Sequence, residues 1–321
     1  MLKTLFIGCA GAGSNVVEVL KNGLPEYPFC DYVTLDTSSA NIKENIDFVH
    51  LTKDSLNNEL LTGSGGIRGA NLEDIKKGVV KFINERKLHT FDGVVYLVFS
   101  SNGGSGNVIA GVLLKELLLK DVTVCCVMIH DTSSKQYAGQ ALDTVRAINK
   151  IAVDNNKAVT TIYFINNVDS KKDLDIKSVN KSILDEMSIL MEYNDIENVV
   201  DIDAEDMKNF YKPNVYTKVK APAGIYGISG LPLGDITDIV AKHNIIIGRC
   251  LTPKEIDPFK GQFLAQHKKG HNKLTKSETM LLLLNNFEKH YTLLSDAYKA
   301  YDKKIEMFRP EEIDDEDVVE F

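Results

Sequence analysis

The sequence predicts an α/β protein with a mostly parallel sheet, and three observations predict it. Short apolar runs at residues 2–7, 32–35, 94–99, 122–129 and 160–165 alternate with helical patterns, as in successive β-α-β units. Two of the runs lead straight into glycine-rich turns, Gly8-Cys9-Ala10-Gly11-Ala12-Gly13-Ser14-Asn15 and Ser101-Asn102-Gly103-Gly104-Ser105-Gly106-Asn107. In an open parallel sheet such turns lie at the carboxyl ends of the strands, where ligands bind.

Between the runs, helices are expected from about Gly13, Asn71 and Ser105, with a longer one over 135–154. A further helix over 175–193 carries Val179, Ile183, Met187 and Leu190 on one stripe, which routes it through the core. An acidic loop follows, Asn198-Val199-Val200-Asp201-Ile202-Asp203-Ala204-Glu205-Asp206, with Asp203 placed to cap a short helix. From Tyr216 onward the pattern turns strand-rich, with candidate strands at 223–228, 244–248 and 280–284, and suggests a smaller second α/β domain. Near the end Phe287, Tyr291, Leu294, Tyr298, Tyr301, Ile305 and Phe308 form an apolar seam on a long helix. The seam is expected to pack on the protein's own body, with a free coiled coil as the alternative.

Composition excludes several classes of function. The 321 residues are 44% hydrophobic and 26% charged, ordinary for a globular protein. The formal charge of −8 is concentrated in residues 310–321, which hold seven acidic residues and no basic one; the remainder carries about −1. That body has no basic excess for nucleic acid, and no apolar run is long enough to cross a membrane. The acidic tail reads as a solubility segment or as a docking segment for a neighbouring subunit, with 266–276 the densest basic loop to receive it. Cys9, Cys30, Cys125, Cys126 and Cys250 show no ligand spacing, so free thiols and a cytoplasmic setting are expected.

The two turns differ in what they specify. Gly11-Ala12-Gly13-Ser14-Asn15-Val16 approaches the GxGxxG dinucleotide fingerprint, with Asp36 closing the next strand. Val16, however, stands where that fingerprint needs a small residue. The turn at 101–107 has three glycines and two serines, more than a tight connection requires, and suits backbone N–H groups wrapped around phosphate. No Gly-Lys-Ser/Thr follows it, so it is not a Walker A loop. A helix dipole and a Mg²⁺ ion bridging phosphate oxygens would have to supply the missing positive charge.

Asn102-Gly103-Gly104-Ser105-Gly106-Asn107 resembles the tubulin signature, and Gly8 to Asn15 resembles the first nucleotide loop of the tubulin/FtsZ superfamily. Gly65-Gly66-Ile67-Arg68-Gly69-Ala70-Asn71 is similar to its third loop, and Asp201-x-Asp203-x-x-Asp206 to its acidic activating loop. The order and spacing of all four agree over about the first 210 residues. The short chain and the acidic tail look most like the phage-encoded tubulins. Asn102 replaces the first glycine of the signature, Ser105 the usual Thr, and Val108 the last glycine.

The resemblance implies a GTP/GDP site in a first domain, 1–174, joined by a central helix, 175–197, to a second domain, 198–285. A C-terminal helix, 286–309, and the acidic tail, 310–321, would complete the chain. Gly11, Ala12 and Gly13 would face the phosphates, with Asn15 contacting the nucleotide from the first helix. Gly69, Ala70 and Asn71 would sense the γ-phosphate, and Asn102, Gly103, Gly104, Ser105, Gly106 and Asn107 would form the main cradle. Thr132 and Ser133 would approach the ribose, and Asn166 and Asn180 would read the guanine edge, with Asn167 able to substitute for its neighbour.

The acidic loop read alone could be helix caps and a solvated face. The resemblance instead makes Asp206, and next Asp203, the carboxylates that polarise the attacking water on the nucleotide of the next subunit. It implies a GTPase that assembles with itself head to tail, Mg²⁺ being held mainly by phosphates and water. For a phage-encoded chain it further implies a filament array that positions phage DNA in the host cell. A plasmid-segregation or cell-division homologue, a Rossmann-type NAD(P)-dependent oxidoreductase and a non-hydrolysing nucleotide-binding scaffold are the alternatives.

Overall fold

Uninterrupted aliphatic runs become the middle of the sheet because both of its faces are covered. The computed structural model describes residues 1–51, 71–166, 176–195, 207–208, 211–212, 223–232, 245–247, 278–283 and 286–307. β1 (Lys3–Cys9), β2 (Cys30–Asp36), β3 (Asp47–His50), β4 (Gly93–Ser100), β5 (Thr123–Asp131), β6 (Ala158–Asn166), β7 (Gly224–Pro232), β8 (Ile245–Ile247) and β9 (Glu278–Leu283) form one sheet. Its order is β3-β2-β1-β4-β5-β6-β7-β9-β8. The strands from β3 to β7 are parallel, and β9 and β8 add antiparallel pairings beyond β7. The strand-rich late sequence thus continues the sheet of the first half, with Gly224 opposite Ala158.

Six α-helices have described bounds: α1 (Ala10–Gly23), α2 (Leu72–Glu85), α3 (Gly106–Leu119), α4 (Lys135–Asp154), α5 (Ile176–Asn194) and α6 (Asn286–Met307). On one face Val16, Val17 and Leu20 of α1 and Ile183, Met187 and Leu190 of α5 pack with Val94, Tyr96 and Val98 of β4. On the other, α2, α3, α4 and α6 send Val79, Leu113, Val145 and Leu294 against Val95, Leu97 and Phe99. Burial on both sides explains why β4 shows a continuous apolar run rather than alternation.

Most elements fall where the periodicity puts them. α4 keeps the expected bounds because Ser134 caps it, its hydroxyl accepting from the Tyr137 N–H at 3.1 Å. The expected stripe of α5 is buried at Ile183, Met187 and Leu190. The C-terminal seam packs on the body of the protein: Leu294 is fully buried, Tyr291 and Tyr298 lie along α4, and Tyr301 reaches the Thr132 carbonyl just before it. Two features were not expected. β3 is a half-buried edge strand, too short and polar to give an apolar run. α1 begins at Ala10 rather than near Gly13, because glycines that read as a turn are in the helix itself.

At the amino ends of the strands a buried polar cluster ties elements together. The Tyr96 and Tyr211 hydroxyls are 2.5 Å apart, and Tyr211 donates to Asn194 Oδ1 at 3.3 Å. The Asn194 amide group is 3.4 Å from Thr4 Oγ1, and its backbone carbonyl accepts from the Leu2 N–H at 2.8 Å. Such satisfied buried groups fix one arrangement of β1, β4 and the end of α5.

Candidate nucleotide site

The sheet reverses its direction of growth between β1 and β4, which are neighbours with Gly8 opposite Val98. That is the topological switch point, where open α/β sheets bind their ligands beyond the carboxyl ends of the strands. Both helices that start there are uncapped by side chains: α1 follows Cys9 and α3 follows Ser105, and neither has an acidic residue in its first turn. α2 opens with Glu73 and Asp74 in its first turn. Two uncapped helix dipoles pointing at one crevice favour an anion there.

Close approach of the two turns explains their glycines. A Cβ on Gly106 would lie 2.9 Å from the Cys9 carbonyl oxygen, and one on Gly13 would lie 2.2 Å from that of Val98. Gly103 adopts φ of +100° and faces open space, so it lines the mouth of the cradle. Ala10 also takes a positive φ, 56°, which turns the chain sharply from β1 into α1. Gly11 is half-buried beside the Asn41 side chain, while Ala12 and Asn15 are exposed at the start of α1. Gly13 is buried in helix-to-sheet packing.

The cradle is braced from three sides. From β2, Asp36 is buried, and its carboxylate accepts from the Thr37 N–H at 2.7 Å, the Ser38 N–H at 3.2 Å and the Asn41 amide at 2.7 Å. The turn so held brings Thr37 Oγ1 within 2.8 Å of Ser105 Oγ. Asp36 is therefore committed to its own turn, which removes the acid that a dinucleotide ribose would need.

From beneath, the Thr144 hydroxyl donates to the Ser101 carbonyl at 2.7 Å, and the Ser101 hydroxyl pairs with His130 Nδ1 at 2.7 Å. Burial lowers the His130 pKa from 6.5 to about 3. Asn107 points the same way: its amide group donates to the Ser101 carbonyl and Thr144 Oγ1 at 3.3 Å each. Asn107 Oδ1 is buried without a partner, and the residue borders an apolar groove of about 500 Å³ with Val108, Val112 and Ile148.

From β5, Asn102 uses its whole amide. Its Oδ1 accepts from the Asp131 N–H at 2.7 Å, and its amino group donates to the carbonyls of Asp131 at 3.0 Å and Tyr137 at 2.6 Å. The residue that departs from the signature glycine thus ties the cradle to the turn holding Thr132 and Ser133, whose own N–H (Ser133) is received by the Asp131 carboxylate at 2.8 Å. The Gly103 N–H donates to Gln140 Oε1 at 3.3 Å. Sequence patterns gave no sign of these contacts.

The remaining site candidates divide by position. Asn166 ends β6 opposite Asp131, on the same carboxyl edge. Asn180 lies in the second turn of α5, at the end away from Asn194, and Asn71 is the N-cap position of α2. Gly69, Ala70, Asp203, Asp206, the basic loop 266–276 and the acidic tail lie outside the described residues. Met207 and Lys208, which follow Asp206 directly, are at the opposite, amino edge of the sheet. Met207 is buried, Lys208 pairs with Asp92 just before β4 at 2.6 Å, and Lys212 Nζ bonds the Asp121 carbonyl just before β5. Among the described residues no group of three His, Cys, Asp or Glu side chains could hold a metal, and no helix is long and apolar enough to cross a membrane.

Two uncapped helix termini at the switch point of a largely parallel sheet form the kind of crevice at which open α/β proteins accept anions. No protein-family profile and no curated protein matches the sequence. Solved structures do match. The phage tubulin PhuZ with GDP aligns at a TM-score of 0.72 and 16% identity, over 100% of this chain and 98% of its own. A protofilament of TubZ from bacteriophage PhiKZ gives 0.72 and 17% over 97% and 94%. A GTPγS-bound protofilament of CetZ2 from Haloferax volcanii gives 0.62 and 16% over 94% and 100%. The chain shares the fold of these phage tubulin and CetZ structures along nearly its whole length.

Proposed function

We propose that this protein is a GTPase that polymerises head to tail and hydrolyses GTP between subunits. The observation that carries the proposal is the separation of two functional edges. The cradle lies beyond the carboxyl end of β4, whereas the chain leaving Asp206 is anchored beside Asp92, before the amino end of that strand. Eight residues of strand span about 26 Å at ~3.3 Å each, so Lys208, two residues after Asp206, is held about a strand length away from the cradle. Stacking one subunit's amino edge on the next one's carboxyl edge brings the two halves together, and such contacts propagate into filaments.

In this reading the backbone N–H groups of 104–106 and the start of α1 hold the phosphates, with Gly103 lining the mouth, and Thr132 and Ser133 border the ribose. Asn166 and Asn180 contact the guanine, and Gly69, Ala70 and Asn71 sense the γ-phosphate. Asp206, with Asp203, orients the attacking water from the neighbouring subunit. Mg²⁺ rides on the phosphates, where it offsets their charge. PhuZ carries GDP, CetZ2 carries GTPγS, and CetZ2 and TubZ form protofilaments, which supports nucleotide-linked self-assembly here. Positioning of phage DNA in a host cytoplasm is the biological role that the resemblance to phage tubulins favours.

Right-angle light scattering with GTP, GTPγS, ATP and NAD tests the proposal. Assembly is expected with GTP and GTPγS alone, and Asp206→Ala is expected to abolish phosphate release while filaments persist. No assembly with either guanine nucleotide, or unchanged turnover per polymer in the variant, refutes it.

A further inference from the structure

The C-terminal helix reaches the nucleotide site through a contact that the proposed function does not use. α6 lies along α4, with three tyrosines at consecutive points of contact. The Tyr291 hydroxyl accepts from Arg146 Nη2 at 2.6 Å, and the guanidinium stands 4.9 Å from the ring centroid. Tyr298 lies beneath Lys135 Nζ at 4.9 Å and against Gly139, where a Cβ would meet its ring at 3.3 Å. Tyr301 goes furthest, its hydroxyl donating to the Thr132 carbonyl at 2.6 Å.

Thr132 follows Asp131, whose N–H and carbonyl are both bonded to the Asn102 side chain of the cradle. Consecutive peptide units are therefore held by two different elements, those on either side of Asp131 by Asn102 of the cradle and the next by Tyr301 of α6. Buried or half-buried hydrogen bonds of this kind remove alternative conformations of a turn more than they add net stability. A turn held by two elements keeps one shape only while both holds persist.

We propose that Tyr301 and Asn102 are paired positioning residues, through which the docking of α6 on α4 sets the affinity of the cradle for its nucleotide. The proposal rests on the reading of 101–107 as a phosphate cradle. It makes nucleotide binding and α6 docking reciprocal, since a coupling free energy acts equally in both directions. Displacing α6 weakens nucleotide binding, and bound nucleotide protects α6.

A double-mutant cycle on the full chain, below the concentration at which it assembles, tests this with a fluorescent N-methylanthraniloyl GDP as the probe. Tyr301→Phe keeps the ring and removes one hydrogen bond, and is expected to weaken probe binding about fivefold. Tyr291→Phe removes a comparable bond from the same helix, and is expected to leave affinity unchanged while lowering the urea midpoint. In an Asn102→Ala background, Tyr301→Phe is expected to have little further effect on affinity. Hydrogen exchange supplies a readout free of nucleotide: amides of 132–137 exchange faster in Tyr301→Phe and keep their rate in Tyr291→Phe. Equal affinities for wild type and Tyr301→Phe, or strictly additive losses in the cycle, overturn the proposal. If wild type binds neither this probe nor its GTP counterpart, the nucleotide reading fails by itself. Unchanged exchange at 132–137 in Tyr301→Phe then overturns the positioning role as well.

Discussion

His130 should make the stability of this protein depend on pH above the ordinary carboxylate range. The imidazole is fully buried beneath the cradle, 2.7 Å from the Ser101 hydroxyl, and burial lowers its pKa from 6.5 to about 3. Between those values the unfolded chain binds a proton that the folded one does not, so stability falls as pH falls. From pH 7 to pH 5 the unfolded imidazole goes from mostly neutral to almost fully protonated. Integrating the linkage over that range gives a loss of about 2 kcal/mol from this one group. Asp92 and Asp121, whose carboxyls are lowered chiefly by hydrogen bonds to Lys208 and Lys157, act only below the ordinary carboxylate range. Urea unfolding of wild type and His130→Asn at pH 7, 6 and 5 isolates the effect, because the other histidines contribute equally to both. Wild type is expected to lose about 2 kcal/mol more than the variant across the series. Parallel pH profiles would show that His130 is not held neutral in the folded state, and the bracing of Ser101 would have to be reassigned.

Gly106→Ala puts a Cβ 2.9 Å from the Cys9 carbonyl oxygen, where only backbone can give way. It is expected to cost about 1–3 kcal/mol and to weaken guanine-nucleotide binding beyond tenfold, measured by calorimetry, because the two turns must separate. Tyr96→Phe removes a hydroxyl 2.5 Å from that of Tyr211 in a fully buried cluster. A loss of about 1–3 kcal/mol in the urea unfolding free energy is expected, with the probe affinity of the cradle preserved.

How much of this was legible depended on whether a residue's role is local. α4 lies over the residues its helical pattern marks, because the Ser134 cap that starts it is local in the chain. β4 was readable because two-sided burial writes a continuous apolar run. The cradle was readable as glycine and serine in number, since close backbone approach admits little else. β3 was not, because a half-buried edge strand of four residues needs no distinctive side chains. Asn102 looked only like a missing glycine; its value lies in bonds to residues 29 and 35 positions away, which no local pattern encodes. Asp36 stands where a dinucleotide fingerprint would place its acid, but its carboxylate serves its own turn through bonds that no spacing reveals.

The separation of the cradle from the chain that follows Asp206 has an arithmetic consequence. When each complete site needs the carboxyl edge of one subunit and the amino edge of another, a filament of n subunits holds one site fewer than n, and a lone subunit holds none. In the proposed filament one terminal subunit would therefore keep its nucleotide intact until another arrives to cover it. Turnover then counts junctions instead of molecules, so its dependence on protein concentration reports filament length as well as amount.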